Sequence, residues 1–332
     1  MRTKWFFLLF ALFAFPLGDC YAQSKDLTRL RVTYSSIGAA SLVTWVAKDM
    51  GIFQKHGLDV GLVYIGGGTM AMSTTISGET QITQGAGTGS ILGRLSGADT
   101  VIIATILDTT PQSLIVQPDI RGPQDLKGKR LGITRFGSLS DFGVRKYLQT
   151  VGLDPEKDVR LIQMGGLPEI LSGMQAGAIQ GGALSSPSLS KAKLLGYREL
   201  KDLGALGIKY PGTCYMTTES YIRSQRPVLI QFLKGIIESA QYVKTHKEPS
   251  IAVLKKYTKM NEPPVLEDTY GVFVQRYIHS VPDPSTEEVK TVLDQIKEKD
   301  PRARTTDYES FIRGDLIKEI EQSGFIDSLS KS

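Results

Sequence analysis

The chain is poor in the residues on which most protein chemistry depends. Cysteine occurs twice and histidine three times in 332 residues. His56, His246 and His279 have no partner at ligand spacing, so neither a metal site nor a Ser–His–Asp arrangement is expected. No basic arm is present: the net charge of +5 is spread thinly, and bases alternate with acids toward the C-terminus. Nucleic acid is therefore not an expected partner. Gly66-Gly67-Gly68-Thr69 lacks the lysine of a phosphate-binding loop, and Gly85 to Gly89 has no downstream acid or Rossmann context. No cofactor and no catalytic residue is expected. Linker-like and low-complexity stretches are missing as well.

Long apolar runs are also lacking. Trp5 to Phe15 is unbroken, but a membrane span needs about 20 such residues. With Arg2 and Lys4 before it, and Cys20-Tyr21-Ala22 after Pro16-Leu17-Gly18, the run has the order of a secretory signal. We expect residues 1–22 to be a signal cleaved after Ala22. Leu17-Gly18-Asp19-Cys20 loosely resembles a lipobox, but Asp19 stands where a small residue is wanted, which ranks acylation of Cys20 below plain secretion. Cleavage would leave Cys214 alone, with no internal disulfide possible, which favours a bacterial periplasm. Cys214 itself reads as a small buried apolar residue.

The remaining length suits two domains of roughly 100–200 residues each, and the chain repeats itself at that scale. Val32-Thr33 pairs with Ile133-Thr134, each ending a short β-branched strand. A small-residue loop follows in both copies, then an amphipathic helix, Ala40 to Met50 and Ser140 to Val151. Gly51-Ile52 pairs with Gly152-Leu153, Val60 with Val159, and Gly66-Gly67 with Gly165-Gly166. Gln81-Ile82-Thr83 then pairs with Gln180-Gly181-Gly182, leading into Gly85 to Ser90 and Leu184 to Ser188. Strands alternating with helices imply parallel sheets, and two such units imply two α/β lobes.

In open α/β sheets, ligands bind beyond the carboxyl ends of the strands. The loops expected there carry serine, threonine and glycine, which supply hydroxyl donors, bare N–H groups at helix starts and close backbone approach. The candidate ligand-binding residues are Ser36, Ile37, Gly38 and Ser41 in the first loop and Gly87, Thr88 and Gly89 in the second. Arg135, Gly137, Ser138, Ser140 and Asp141 follow in the third, with Ser185 and Ser186 in the fourth. Asp108, after the strand Val101–Leu107, is added at the expected crossing between lobes. For each serine, helix capping competes evenly with ligand contact. Asp141 suits a cap better than a ligand group, and Asp108 suits a hinge as well as a ligand.

Asp125-Leu126-Lys127-Gly128-Lys129-Arg130-Leu131-Gly132-Ile133-Thr134, continuing through Arg135-Phe136-Gly137-Ser138, resembles the second-lobe entry of ABC-transporter substrate-binding proteins. The group it resembles handles sulfonates, nitrate, taurine and thiamine precursors. Met50-Gly51-Ile52-Phe53, Gly57-Leu58-Asp59-Val60 and the closing Glu321-Gln322-Ser323-Gly324-Phe325-Ile326-Asp327 extend the resemblance over nearly the whole chain. It implies a type II periplasmic-binding fold with a two-segment hinge. Residues 23–115 plus 216–332 would form lobe 1, and residues 116–215 lobe 2, with C-terminal helices packed on lobe 1. It also implies an importer: a monomeric periplasmic protein taking a small molecule, with an anion left open, to an ABC permease with a separate ATPase subunit. Pyrimidine-synthesising relatives carry a histidine- and cysteine-rich signature that is missing here. The resemblance leaves the ligand open. A cleft enzyme acting on a small heterocycle or carboxylate, with Asp108 and Asp141 as its acid–base pair, is the alternative. A sensory domain ranks last, because no second hydrophobic segment would tether it.

Overall fold

The computed structural model describes residues 27–305 and 307–329. The expected signal, its cleavage site and Cys20 lie outside the described residues. Among those described, no helix is long and apolar enough to cross a membrane, and no cluster of three or more His, Cys, Asp or Glu could hold a metal ion.

The chain builds two five-stranded sheets in turn. It begins with β1 (Thr28–Tyr34), β2 (Leu58–Tyr64), β3 (Ile82–Gly85) and β4 (Thr100–Leu107), linked through α1 (Leu42–Asp49), α2 (Ile52–Lys55), α3 (Gly68–Ile76) and α4 (Thr88–Leu95). The second sheet follows, with β5 (Ser113–Val116), β6 (Arg130–Ile133), β7 (Arg160–Gln163), β8 (Gly181–Leu184) and β9 (Arg198–Asp202). Its helices are α5 (Leu139–Thr150), α6 (Leu167–Gln175) and α7 (Ser188–Leu194). The return strand β10 (Thr213–Thr218) then enters the first sheet between β3 and β4. The strand orders are β2-β1-β3-β10-β4 and β7-β6-β8-β5-β9. In each, three parallel strands are joined by the strand that arrives from the other sheet, which runs antiparallel to its neighbours.

The internal repeat is real at the level of single hydrogen bonds. Arg31 N donates to Gln81 Oε1 at 2.8 Å, and Arg130 N donates to Gln180 Oε1 at 3.1 Å. The matching backbone bonds, Gln81 N to Arg31 O and Gln180 N to Arg130 O, are also both present. Strand pairing sets Val32 opposite Ile82 and Leu131 opposite Gly181, so the counterpart of Val32 is Leu131. The expected pairing of Val32-Thr33 with Ile133-Thr134 is therefore two residues out. The loop and helix after the strand are two residues longer in the second copy, and sequence matching there pulled the strands out of register.

Each sheet is covered on both faces. All eight residues of β4 are buried although it ends the sheet, because side chains from the C-terminal segments cover its nearly continuous apolar run and Ile312 bridges it at Ile102. Trp45 on α1 is fully buried and stacks on Tyr257 at 4.7 Å, while Phe53 stacks on Phe232 at 5.3 Å. Those partners belong to α8 (Glu219–Thr245), kinked at Gln225 beside Pro227, and α9 (Lys247–Thr258). With α10 (Pro263–Arg276) and α11 (Thr286–Ile296) they pack on the first sheet, so the C-terminal helices complete the first lobe.

The chain passes between sheets twice, through residues 108–112 and 203–212, and these stretches lie side by side. Leu203 N donates to Gln112 O, Tyr210 N to Asp108 O and Gly212 N to Leu107 O, each at 2.9 Å. The expected boundaries after residues 115 and 215 fall inside β5 and β10 respectively.

The start of α11 buries a carboxyl. Ser285 caps the helix through Glu288 N at 3.4 Å, while Glu288 accepts from Ser285 Oγ at 3.0 Å and Thr105 Oγ1 at 2.9 Å. Glu288 is 3% exposed, and burial raises its pKa from 4.5 to about 7 against the opposing effect of those hydrogen bonds. Between these values the folded protein holds a proton that the unfolded chain has released, so stability falls as pH rises through the window. The shift corresponds to about 3 kcal/mol. Glu288→Gln is expected to melt near the wild type at pH 5 and above it at pH 8, by roughly 5–10 °C. Thermal melts of both proteins at the two pH values check this; an equal difference at both would show that Glu288 does not titrate there.

Candidate ligand-binding cleft

Between the two lobes lies a cleft of about 40 Å³. Its first wall is the loop after β1, with Ser35 and Ser36, together with Gln84 and Gly85 at the end of β3 and Gly67 and Gly68 at the start of α3. Thr134, Ser138 and Ser140 around the start of α5 form the opposite wall with Leu167 and Ser185. Pro111, Gln112, Gly212 and Thr213 come from the crossings and their ends and make the floor. All the ionisable side chains of the described residues lie outside this lining.

The polar groups of both walls are held by one another. Ser41 Oγ donates to Ser36 O at 2.7 Å and to Gln84 Oε1 at 3.2 Å, and Gln84 Nε2 donates to Ala40 O at 3.1 Å. This ties the first loop to the end of β3. In the second wall, Thr134 N donates to Ser140 Oγ and Thr134 Oγ1 to Ser138 Oγ, both at 2.8 Å. Ser138 Oγ and Ser140 Oγ are 2.9 Å apart. The three hydroxyls form a closed triangle whose three edges take up their three protons, so the members have lone pairs to offer a ligand.

The lobes are in contact around the cleft. Ala39 N donates to Ser186 O at 3.1 Å, Thr69 Oγ1 to Phe136 O at 3.3 Å, and Ser190 Oγ to Asp268 Oδ2 at 2.7 Å. Lys191 pairs with Glu262, and Lys299 with Glu156, across the rim. A water needs about 10–15 Å³ of such space, so the cleft as it stands has room for a few water-sized groups.

Of the residues expected from sequence, Ser36, Ser138, Ser140 and Ser185 line the cleft. A Cβ on Gly38 would lie 3.3 Å from Ser186 O, so Gly38 belongs to the lobe contact, and Ile37 is not part of the lining. Ser41 is fully buried behind the wall as its brace. Gly87 is held by Pro211 O through its N–H at 2.8 Å, and Gly89 lies against Gly68 on α3. The Thr88 hydroxyl is bonded to that of Tyr210 and faces a separate groove of about 360 Å³. Gly137 and Asp141 face the same groove. Asp141 accepts from Gly137 N at 2.8 Å and pairs with Arg145 at 2.6 Å. Burial outweighs those bonds and pushes its carboxyl pKa upward.

Asp108 lies at the hinge. It pairs with Lys209, and His279 Nε2 stands 2.9 Å from Oδ1, near enough for attraction but not aligned as an N–H donor. Burial pushes its carboxyl up, but the bond to Lys209 and the nearness of Lys209 and His279 prevail and hold it below its ordinary value. The Arg135 stem lies across Gly67, and its charge acts on Tyr64 at the flank of the cleft. Burial, with Glu169 and Tyr34, pushes the Tyr64 hydroxyl up to about 12 against that charge.

Sequence reasoning missed Ser35, Gln84, Gln112, Thr134 and Thr213. Ser35 and Thr134 each follow the last residue of their strand, and the corrected register brings them into correspondence. Gln84 and Gln112 belong to no local motif.

These features, two α/β lobes joined by paired crossings and meeting over a loop-lined cleft, define the periplasmic-binding-protein class, here with the type II strand order. The chain belongs to the family described as NMT1/THI5 like, whose model matches residues 40–250, more than half of its length. It is similar to YtlA of Bacillus subtilis (strain 168), whose name describes a binding protein, at 26% identity over 87% of this chain and 88% of that one. Solved structures share the fold. The alkanesulfonate-binding protein SsuA from Xanthomonas axonopodis pv. citri, bound to MOPS, superposes with a TM-score of 0.72 at 18% identity, covering 89% of this chain and 98% of that one. The nitrate-binding protein NrtA from Synechocystis PCC 6803 gives 0.75 at 14% identity, covering 90% and 89%. A mutant of DszB in complex with biphenyl-2-sulfinic acid gives 0.62 at 13% identity, covering 89% and 99%.

The closeness of the lobes depends on one pair of glycine loops. A Cβ on Gly66 would lie 2.4 Å from the Gly165 carbonyl oxygen, nearer than side chains tolerate. Gly66→Ala is expected to keep the lobes apart, with an unchanged far-UV spectrum and a larger radius of gyration by small-angle scattering. It should also weaken ligand binding on the order of tenfold, equivalent to about 1.4 kcal/mol. An unchanged radius and affinity would show that these loops do not set the closed distance.

Proposed function

We propose that this chain is the periplasmic solute-binding component of an ABC importer. Its two lobes would be residues 27–107 plus 213–329 and residues 113–202, turning about the crossings between them. The observation that carries this reading is the cleft itself: both lobes supply hydroxyls and helix starts to one small space, and only two paired strands of chain link the lobes. Such a geometry captures a small molecule by closure. One lobe binds first, and contacts with the other stabilise the closed form by as much as they add. A permease would read the closed surface, and ATP hydrolysis would reside on a separate subunit. Export through the N-terminal signal, with cleavage after Ala22, and action as a monomer complete the proposal.

Ser36, Ser138, Ser140 and Ser185 are the ligand contacts we retain from sequence, joined by Ser35, Gln84, Thr134 and Gln112. The alternative, a cleft enzyme, has the DszB likeness in its favour. Its acid–base pair would not be Asp108 with Asp141, which are engaged by Lys209 and Arg145 away from the cleft.

Mass spectrometry of small molecules released from the purified protein by heat tests the reading. A compound that rebinds, shrinks the radius of gyration and is recovered unchanged is the expected result. Conversion of that compound, or binding without compaction, would overturn it. Ser138→Ala is expected to weaken its binding about fivefold, the worth of one hydrogen bond near 1 kcal/mol, without loss of fold.

A further inference from the structure

Arg135 projects from the second lobe onto the first. Its backbone is held in the turn before α5, where Arg135 N donates to Ser138 Oγ at 3.4 Å and Arg135 O accepts from Ser138 N at 3.2 Å. The stem lies on Gly67 of the first lobe: a Cβ there would stand 2.3 Å from Arg135 Cγ and 2.9 Å from Arg135 Cβ. The guanidinium passes on toward Gly165 and Tyr64, outside the cleft lining. In this position Nε is buried without a hydrogen-bond partner, and no carboxylate pairs with the group among the described residues.

Nε–H is one donor of a permanent cation. Burying such a donor without an acceptor forfeits its hydration, and the loss is larger for a charged group than for a neutral one. The stem is covered by the opposite lobe. Rotation about the crossings lifts Gly67 away from it and lets water back to Nε.

We infer that Arg135 holds the empty protein open, because the lobes meet only by stripping its Nε–H of water. This rests on the lobes turning about the crossings, as in the proposed function. A ligand in the cleft does not reach Nε, so it must offset the penalty with contacts made elsewhere across the cleft. The penalty therefore lowers affinity, and in exchange it keeps down the population of empty closed molecules that a permease could engage.

The test is the distribution of distances between two spin labels on residues 23–332, freed of small molecules by dialysis. The labels are attached through Ser73→Cys on α3 and Ser172→Cys on α6, exposed positions of the two lobes, while Cys214 is buried. Gly66→Ala supplies the open distance. Arg135→Lys puts a methylene where Nε stands and keeps the positive charge, and Arg135→Met keeps the stem without either. Both should raise the closed-to-open ratio of the ligand-free protein by about fivefold or more, as loss of one unmet buried donor implies. An unchanged ratio in the lysine variant would overturn the inference, whatever the methionine variant does, because charge rather than Nε would then hold the lobes apart. The underlying reading fails separately: one distance shared by the wild type, the Arg135 variants and Gly66→Ala would mean that the lobes do not turn.

Discussion

Residues 108–112 and 203–212 carry the chain between the sheets as a ribbon of two strands bonded to each other. Gly212 approaches so closely that a Cβ there would lie 2.0 Å from Thr109 O, and the Asp108–Lys209 pair ties the strands again at their edge. With the backbone committed in this way, the lobes have one easy motion, rotation about the ribbon. The floor of the cleft is made of the same residues, so it stays in place while the walls move. In the proposed closure, groups on the floor would present one geometry to a ligand throughout, and groups on the walls would add theirs at the end.

Charge and neutrality are kept apart in this arrangement. Glu156–Lys299 and Lys191–Glu262 stand at the rim with solvent around them, where an ion pair adds little to stability and weakens with salt. Within the cleft, hydroxyls and amides hold one another in place. How near the lobes come is decided by backbone against backbone, Ala39 with Ser186 and Gly66 with Gly165, where little adjustment is available. In the proposed closure, the rim pairs would bias an equilibrium whose end point the glycine loops define.

The two α/β lobes were legible because they depend on local patterns: β-branched strands, glycine after helices, and a repeat with both glutamines in place. The strand register slipped by two residues because the loop after β1 and its counterpart differ in length, and small-residue loops match at several offsets. In the cleft, the serines of the strand-to-helix loops could be read because loop position follows from sheet type. Gln84 and Gln112 could not. Gln84 faces the cleft because Ser41 and Ala40 hold its amide, and Gln112 because the crossings pair, and both circumstances arise only in three dimensions. Thr88 read as a ligand group because the sequence does not show Tyr210 arriving to engage it, whereas Asp141 and Asp108 took the cap and hinge places that the sequence also offered, with Arg145 and Lys209 as their partners.

The placement of β10 governs the order in which the molecule can be assembled. Within the first sheet β4 pairs only with β10, and its further bridge, Ile102 with Ile312, lies later still in the chain. A ribosome therefore delivers every strand of the second sheet before β4 has any partner in the first. The inserted lobe can fold as a continuous unit while β1, β2 and β3 wait beside an uncovered apolar strand. The lobe that begins the chain is the one completed last, and a chaperone or export factor that holds the nascent protein unfolded would shield that strand.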